Sequence, residues 1–250
     1  MKKLICFLVL ILITTTQSQS IMRIWKNGVI IDSVAVTNDL KITFGTGGGG
    51  FVCGNPITYF GKTYNTVLIG SQCWLKENLN VGIFVESVST LSNHTDASNN
   101  GIIEKYCYNN DTLNCNTYGG LYDWNEAMQY ITTPGTQGIC PTGWHIPTLA
   151  ELQTLKSAVG NNANALKAIG QGSGGGVGTN TSGFSALLAG YRYTTGHFTT
   201  LGGFTYFWSS TTLINNGYHA YCLNLWYGVN DIGMEYYNIN YGYSVRCLKD

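Results

Sequence analysis

The first stretch of the chain is the most strongly patterned. Lys2 and Lys3 precede an unbroken apolar run from Leu4 to Ile13, and Thr14, Thr15, Thr16, Gln17, Ser18, Gln19 and Ser20 follow it. That order of charged, apolar and small polar residues is the order of a cleavable secretory signal. A bilayer-spanning helix needs roughly 20 apolar residues, and the threonines end this run earlier; an uncleaved anchor is the competing reading. Ser18 and Ser20 place small side chains at the minus-three and minus-one positions of a cut after Ser20. Cys6 lies inside the apolar run and ahead of that cut, which argues against lipidation of a new N-terminal cysteine.

Past Ser20 the pattern changes to short alternating runs. Met22–Trp25 and Val29–Ile31 flank Lys26-Asn27-Gly28, and Asn-Gly between apolar runs predicts a hairpin because a type I′ turn needs positive φ at both central residues. A further run, Leu40–Phe44, leads into the glycine-rich stretch 45–50, which offers no side chains to pack and reads as a linker. The expected organisation is a signal over 1–20, a hairpin-like β segment over 21–44, a linker over 45–50 and a main domain over 51–250. Within that domain Tyr59–Leu75 reads as a hairpin with Gly61-Lys62 at its tip and Val67 and Ile69 on one face.

Two helices stand out. Asp123 with Glu126 three residues later forms a capping-box pattern, and Trp124, Ala127, Met128 and Ile131 recur on one helical face up to Pro134-Gly135. Thr148 with Glu151 repeats the box; Leu149, Leu152, Leu155 and Val159 supply the buried stripe and Gly160 the C-terminal stop. A short turn over 162–169 follows. From Phe184 onward only short β runs between Gly and Asn turns remain. The fold class expected is α+β, with two helices against a small, twisted, mostly antiparallel sheet and long loops.

Composition narrows the function classes. Thirteen basic and thirteen acidic residues leave zero formal charge, and charged residues are only 10% of the chain. An electrostatic grip on nucleic acid needs clustered Lys and Arg, and none is clustered here. No second apolar stretch of spanning length occurs, so no membrane span is expected in the mature chain. Of the eight cysteines, seven remain after the signal: Cys53, Cys73, Cys107, Cys115, Cys140, Cys222 and Cys247. In an exported chain such a set reads as a disulfide framework. No Cys-x-x-Cys pair accompanies the four scattered histidines, so no zinc site is assigned. Seven is odd, leaving one thiol free or paired with another chain.

The candidate chemistry is sparse. Gly170-Gln171-Gly172-Ser173-Gly174-Gly175 has the letters of a dinucleotide fingerprint, but it follows a helix instead of a strand and reads as a mobile surface loop. His145, in Gly143-Trp144-His145-Ile146-Pro147, lacks a nucleophile motif and reads as a structural histidine near a helix start. Asn230 and Asp231 offer adjacent oxygens to Ca²⁺, or form a turn. Aromatic residues crowd the last third: Tyr218, Tyr221, Trp226, Tyr227, Tyr236, Tyr237, Tyr241 and Tyr243. Tyrosine and tryptophan combine flat apolar faces with polar handles, which suits sugar platforms and protein interfaces alike. Trp226, Tyr227, Asn230 and Asp231 are the candidate ligand-binding residues; no catalytic residue is assigned.

Several stretches together resemble a known family. Tyr64–Leu79 (YNTVLIGSQCWLKENL), Tyr118–Trp124 (YGGLYDW), Cys140–Thr148 (CPTGWHIPT), Phe207–Thr211 (FWSST) and Gly242–Cys247 (GYSVRC) resemble the Fibrobacter succinogenes major paralogous domain, in order, from about Phe51 to Lys249. Residues 22–44 resemble the strand-rich lead segment that precedes such domains in exported proteins. The family is similar, more distantly, to the C-type-lectin-like superfamily, which includes formylglycine-generating enzymes. The resemblance implies a C-type-lectin-like fold with its first and last strands side by side. It also implies a Cys140–Cys247 bridge, with Cys53–Cys73 and Cys107–Cys115 as local staples and Cys222 as a buried free thiol. The Glu-Pro-Asn and Gln-Pro-Asp tripeptides of calcium-dependent lectins are absent, and so is a paired-cysteine active site. The expectation is a non-catalytic module, secreted or on the outer cell surface, binding a glycan or another surface protein without a cofactor, with calcium the one candidate ion. The alternatives are an enzyme of the formylglycine-generating type and a structural or adhesive component assembled through residues 21–50.

Overall fold

The computed structural model describes residues 21–26, 29–35, 51–89 and 94–250. The signal segment, the Asn27-Gly28 turn, the run Leu40–Phe44 and the linker 45–50 lie outside the described residues. The chain divides at Gly50 into two units. In the first, β1 (Ile21–Lys26) pairs antiparallel with β2 (Val29–Ala35), with Lys26 opposite Val29.

The second unit, Phe51–Asp250, is α+β with short helices. Its elements in order are β3 (Ile57–Tyr59), β4 (Lys62–Tyr64), β5 (Thr66–Ile69), β6 (Gln72–Leu75), β7 (Ile83–Phe84), β8 (Glu104–Lys105), α1 (Thr112–Tyr118), α2 (Trp124–Ala127), β9 (Trp144–His145), α3 (Leu149–Ala158), α4 (Ala163–Leu166), β10 (Ala189–Arg192), β11 (Phe198–Leu201), β12 (Phe204–Leu213), β13 (Asn216–Trp226), β14 (Gly233–Asn238) and β15 (Leu248–Lys249). The larger sheets run β5-β6-β15-β9 and β12-β13-β14; β3–β4 and β10–β11 are antiparallel pairs, and β7–β8 is a parallel one. Among the described residues no helix is long and apolar enough to cross a membrane.

Helix α3 follows its sequence signals. The Thr148 hydroxyl accepts from the Glu151 amide, the Glu151 carboxylate accepts from the Thr148 amide, and Leu152 and Leu155 are buried. Helix α2 is far shorter than its apolar spacing suggests. Asp123 caps it, but Gln129 and Tyr130 turn to positive φ, and Ile131 is left half-exposed beyond it. Its box is not closed either, because the Glu126 carboxylate is taken by the Glu104 amide at 2.9 Å. Tyr59–Leu75 forms two successive hairpins, turning at Phe60-Gly61 and at Gly70-Ser71.

Three disulfides close loops of very different size: Cys53–Cys73, Cys107–Cys115 and Cys140–Cys247, the pairing implied by the family resemblance. The last spans 107 residues, and a cross-link over such a loop is worth about 4–5 kcal/mol on the chain-entropy view. Cys222 is free and buried.

The run from Gly242 to Lys249 passes through the middle of this unit and bonds to five other segments in turn. Gly242 and Arg192 exchange both backbone bonds, and so do Tyr243 and Tyr122. The Ser244 amide donates to Tyr206 and its carbonyl accepts from Trp208; the Val245 and Cys247 carbonyls accept from Leu79 and Leu75; Leu248 pairs with both Trp74 and His145. Its side chains alternate between two cores. Tyr243, Val245 and Cys247 join Trp124, Trp144 and Trp208. Leu248 joins Trp74, Phe184, Phe207 and the α3 leucines.

Between these leucine and aromatic neighbours lies a buried cation. The Arg246 guanidinium sits 4.4 Å from the Phe184 ring centre and 5.4 Å from that of Phe207. It donates to Asn78 Oδ1 at 2.9 Å and to the carbonyls of Leu75, Phe184 and Ser185. Burial pulls its pKa below the ordinary value, and the neutral oxygens and ring faces are what stabilise the charge. Replacing Arg246 by Met keeps the apolar stem but strands these acceptors, at about 1–3 kcal/mol for each group left without a partner. Arg246→Met should therefore lose about 3 kcal/mol or more in guanidinium chloride unfolding with the disulfides intact. An unchanged midpoint would remove this residue from the account of stability.

Candidate functional site

The register of β12, β13 and β14 decides which side chains share a face, because residues directly opposite in an antiparallel ladder point the same way. Phe204 lies opposite Trp226, Tyr206 opposite Asn224, and Trp208 opposite Cys222; on the other side of β13, Cys222 lies opposite Glu235 and Ala220 opposite Tyr237. Phe204, Tyr206, Trp208, Trp226, Glu235 and Tyr237 therefore occupy one face. Phe207, Leu223, Leu225 and Met234 occupy the other, against the α3 leucines.

The first face carries a continuous aromatic band. Trp226 contacts Phe204 at 5.6 Å and Phe204 stacks on Tyr206 at 6.3 Å. Tyr206 meets Tyr191 at 5.1 Å, Tyr237 at 5.6 Å and Tyr243 at 4.5 Å, and Tyr241 links Tyr237 to Tyr193. Tyr206, Trp208 and Tyr243 are buried, whereas Tyr191, Phe204, Tyr237 and Tyr241 are half-buried and Trp226 is 38% exposed. The band thus begins in the core and reaches the surface. At its rim the Tyr237 hydroxyl donates to the Glu235 carboxylate. Burial raises the phenol pKa values of Tyr206, Tyr237 and Tyr243, so these hydroxyls stay protonated donors. Asn224 is wholly buried beside Tyr206, packed over Gly233, and neither of its side-chain polar atoms has a partner among the described residues.

The four candidate residues divide. Trp226 belongs to the band. Tyr227 is half-exposed at the start of the β13–β14 turn. Asn230 Oδ1 accepts from the Asn164 amide, and Asp231 Oδ1 from the Asn161 side chain. The pair therefore ties the turn to α4 through Asn164 and to the α3–α4 connection through Asn161. Among the described residues no three His, Cys, Asp or Glu side chains converge as metal ligands.

The turn is fixed from beneath. The buried Lys167 ammonium donates to the carbonyls of Trp226 and Val229, both at 2.9 Å, and to that of Gly176. The Gly170–Gly176 run is a surface loop, exposed at Ser173–Gly175, that is tied at Gly176 and Ser173. The Ser173 amide bonds to the Tyr227 carbonyl, and a Cβ at Gly176 would lie 2.1 Å from that same oxygen. Glycine is required there by close backbone approach.

Two candidate reactive groups have structural roles. His145 is held between Asp250 Oδ1, 2.8 Å from Nδ1, and the Glu151 carboxylate, 3.1 Å from Nε2. With an acceptor at each nitrogen, both must donate, which is the imidazolium form. The bond to Glu151 raises the His145 pKa against the effect of burial. Burial alone would raise Glu151, but His145 and Thr148 outweigh it and hold the carboxyl at about 2. Cys222 faces Glu235 across the ladder, and burial pushes its thiol well up, away from the nucleophilic thiolate.

Phe204, Tyr206, Tyr191 and Glu235 escaped the reading of the sequence. The signal was there: Phe204-x-Tyr206-x-Trp208 alternates aromatics on one face of a strand, and Trp226 closes the partner strand. Compared with known proteins, residues 67–249 match the model of the Fibrobacter succinogenes major domain. No curated protein and no solved structure matches the chain.

The His145 clamp fixes a pH dependence. A histidine with a raised pKa adds stability that is present below its ordinary value of about 6.5 and lost as pH rises through the folded value. A carboxylate held down adds stability that is present above about 4.3 and lost as pH falls toward about 2. The clamp should be strongest from about pH 4.5 to 6.5. In thermal melts across pH, His145→Gln should flatten both limbs relative to the parent; parallel curves would contradict the clamp.

Proposed function

The chain belongs to the Fibrobacter succinogenes major domain family, and from that premise we propose that it is a non-catalytic binding module, exported to the cell surface or medium, that holds carbohydrate on the aromatic face of β12–β14. The observation that supports this best is the band itself. Half-exposed rings on regular strands give apolar platforms for the C–H faces of a sugar ring, while the Tyr237 hydroxyl and the Glu235 carboxylate at the rim are placed for its hydroxyls. A rigid, aromatic surface with few charges suits a neutral, hydroxylated ligand better than a phosphorylated one.

The three disulfides support the exported setting. The last strand, β15, lies between β6 and β9 and not beside β3, the first strand of the unit, so a C-type-lectin-like arrangement rests on the family resemblance. Against the enzymatic alternative stands Cys222, buried beneath the face with its thiol pushed toward the neutral form. We assign no metal to the reading: Asn230 Oδ1 and Asp231 Oδ1 accept from Asn164 and Asn161 in a turn, and among the described residues no three acidic, His or Cys side chains converge.

Glycan-array screening of the mature protein, followed by titration calorimetry on the best hit, tests the reading. Trp226→Ala and Tyr237→Ala should each weaken binding about tenfold or more, equal to about 1.4 kcal/mol. A chelator should change nothing. Binding that survives both substitutions, or that requires Ca²⁺, would move the site elsewhere.

A further inference from the structure

Strand β14 is the outer strand of its sheet: the order is β12-β13-β14, and among the described residues nothing pairs with its far side. The parity of its backbone groups follows from one bond. The Ile239 amide donates to the Tyr218 carbonyl at 3.0 Å, which makes that opposed pair a hydrogen-bonded one. Since hydrogen-bonded pairs alternate along an antiparallel ladder, Tyr237, Glu235 and Gly233 are bonded to β13. Met234, Tyr236 and Asn238 turn their N–H and C=O groups to the open side. Only the Asn238 carbonyl has a further partner, the Tyr241 amide.

Natural sheet edges are usually blunted by Lys, Pro, a bulge or extreme shortness. This one has no Lys, Pro or bulge and is six residues long; its one charge, Glu235, lies on the aromatic face and accepts from Tyr237. Its sequence is Gly-Met-Glu-Tyr-Tyr-Asn, its register with β13 runs unbroken from Asn238 to Gly233, and Tyr236 projects half-exposed beside a shallow depression lined by Tyr221, Met234 and Tyr237. Without Lys2 and Lys3 of the signal the chain has a formal charge of only −2, so repulsion between two copies is weak and screened by salt.

We propose that β14 is the seam of a symmetric homodimer, in which two copies of the strand pair antiparallel with Tyr236 on the two-fold axis. The chemistry of the strand selects both the partner and the register. A two-fold axis normal to the sheet allows only registers centred on a residue. Centring on Glu235 places two carboxylates directly opposite each other, which is destabilising. Centring on Tyr236 makes it a hydrogen-bonded pair with itself, pairs Met234 with Asn238 of the other copy, and sets each Glu235 opposite the other copy's neutral Tyr237 instead of a like charge. Every outward-facing group of the edge then meets a complementary one. The two three-stranded sheets become one of six strands, and both aromatic bands lie on the same side of it.

Sedimentation velocity on the mature chain over a concentration series tests this without any glycan. The wild type should show a reversible monomer–dimer equilibrium. Tyr236→Lys and Tyr236→Glu, each placing like charges on the axis, should raise the dissociation constant at least tenfold while keeping the near-UV circular dichroism. Mixing the two variants should restore the dimer. A wild type that stays monomeric at its highest soluble concentration would overturn the proposal. So would a dimer that tolerates Tyr236→Lys, or two folded variants that fail to complement each other. Loss of glycan binding in the Trp226 variant is a separate readout, since Trp226 lies outside β14.

Discussion

Everything in the 51–250 unit depends on where its last strand runs. Residues Gly242–Lys249 lie between two cores and supply backbone partners to Arg192, Tyr122, Tyr206, Trp208, Leu79 and Leu75, segments that otherwise share no ladder. Many small sheets replace one large one here, so no single sheet organises the fold. What unites them is this central run, fixed at one end by the Cys140–Cys247 bridge and at its middle by Arg246 between Phe184 and Phe207. A buried arginine with only neutral acceptors is costly unless each is in place. That makes the geometry specific: Asn78, Leu75, Phe184 and Ser185 must all arrive around one guanidinium.

The aromatic face is a consequence of that constraint. Ser244 bonds to β12 from outside its sheet, and Tyr243 stacks beneath Tyr206. The inner rings of the band are thus held by the central run, and the outer ones by the Lys167 ammonium under the Trp226–Val229 turn. An aromatic face built on strands and supported from behind would lose little conformational freedom on engaging the proposed ligand. Its polar groups are few: Glu235 and the Tyr237 hydroxyl at the rim, and Asn224 buried beside Tyr206.

Local chemistry was legible in the sequence; choices among competing partners were not. The Thr148–Glu151 box and the α3 leucines fold as their spacing dictates, because the cap and the stripe are satisfied within ten residues. The same letters at Asp123–Glu126 give one turn of helix, since Glu126 is claimed by the Glu104 amide and the chain turns left-handed at Gln129. Helix α1, capped by Asp111, has no long apolar stripe to announce it. That the glycine run from Gly170 is tied to the Tyr227 turn was not legible, because Lys167 and the Ser173 amide reach carbonyls, which carry no sequence signature. Of the four proposed contact residues only Trp226 joins the band. Asn230 and Asp231 follow the turn chemistry that such residues favour, and Phe204 and Tyr206 became visible only when the β12–β13 register was known.

The claim that the C-terminal run organises the unit is tested most directly by native-state hydrogen exchange. Amides that open only with the whole structure show the global unfolding free energy, whereas locally released ones exchange faster. The amides of Gly242, Tyr243 and Ser244 should exchange only through global unfolding, as slowly as the most protected positions of β12 and β13. Exchange of these three by local fraying, while β12 and β13 remain protected, would contradict the account.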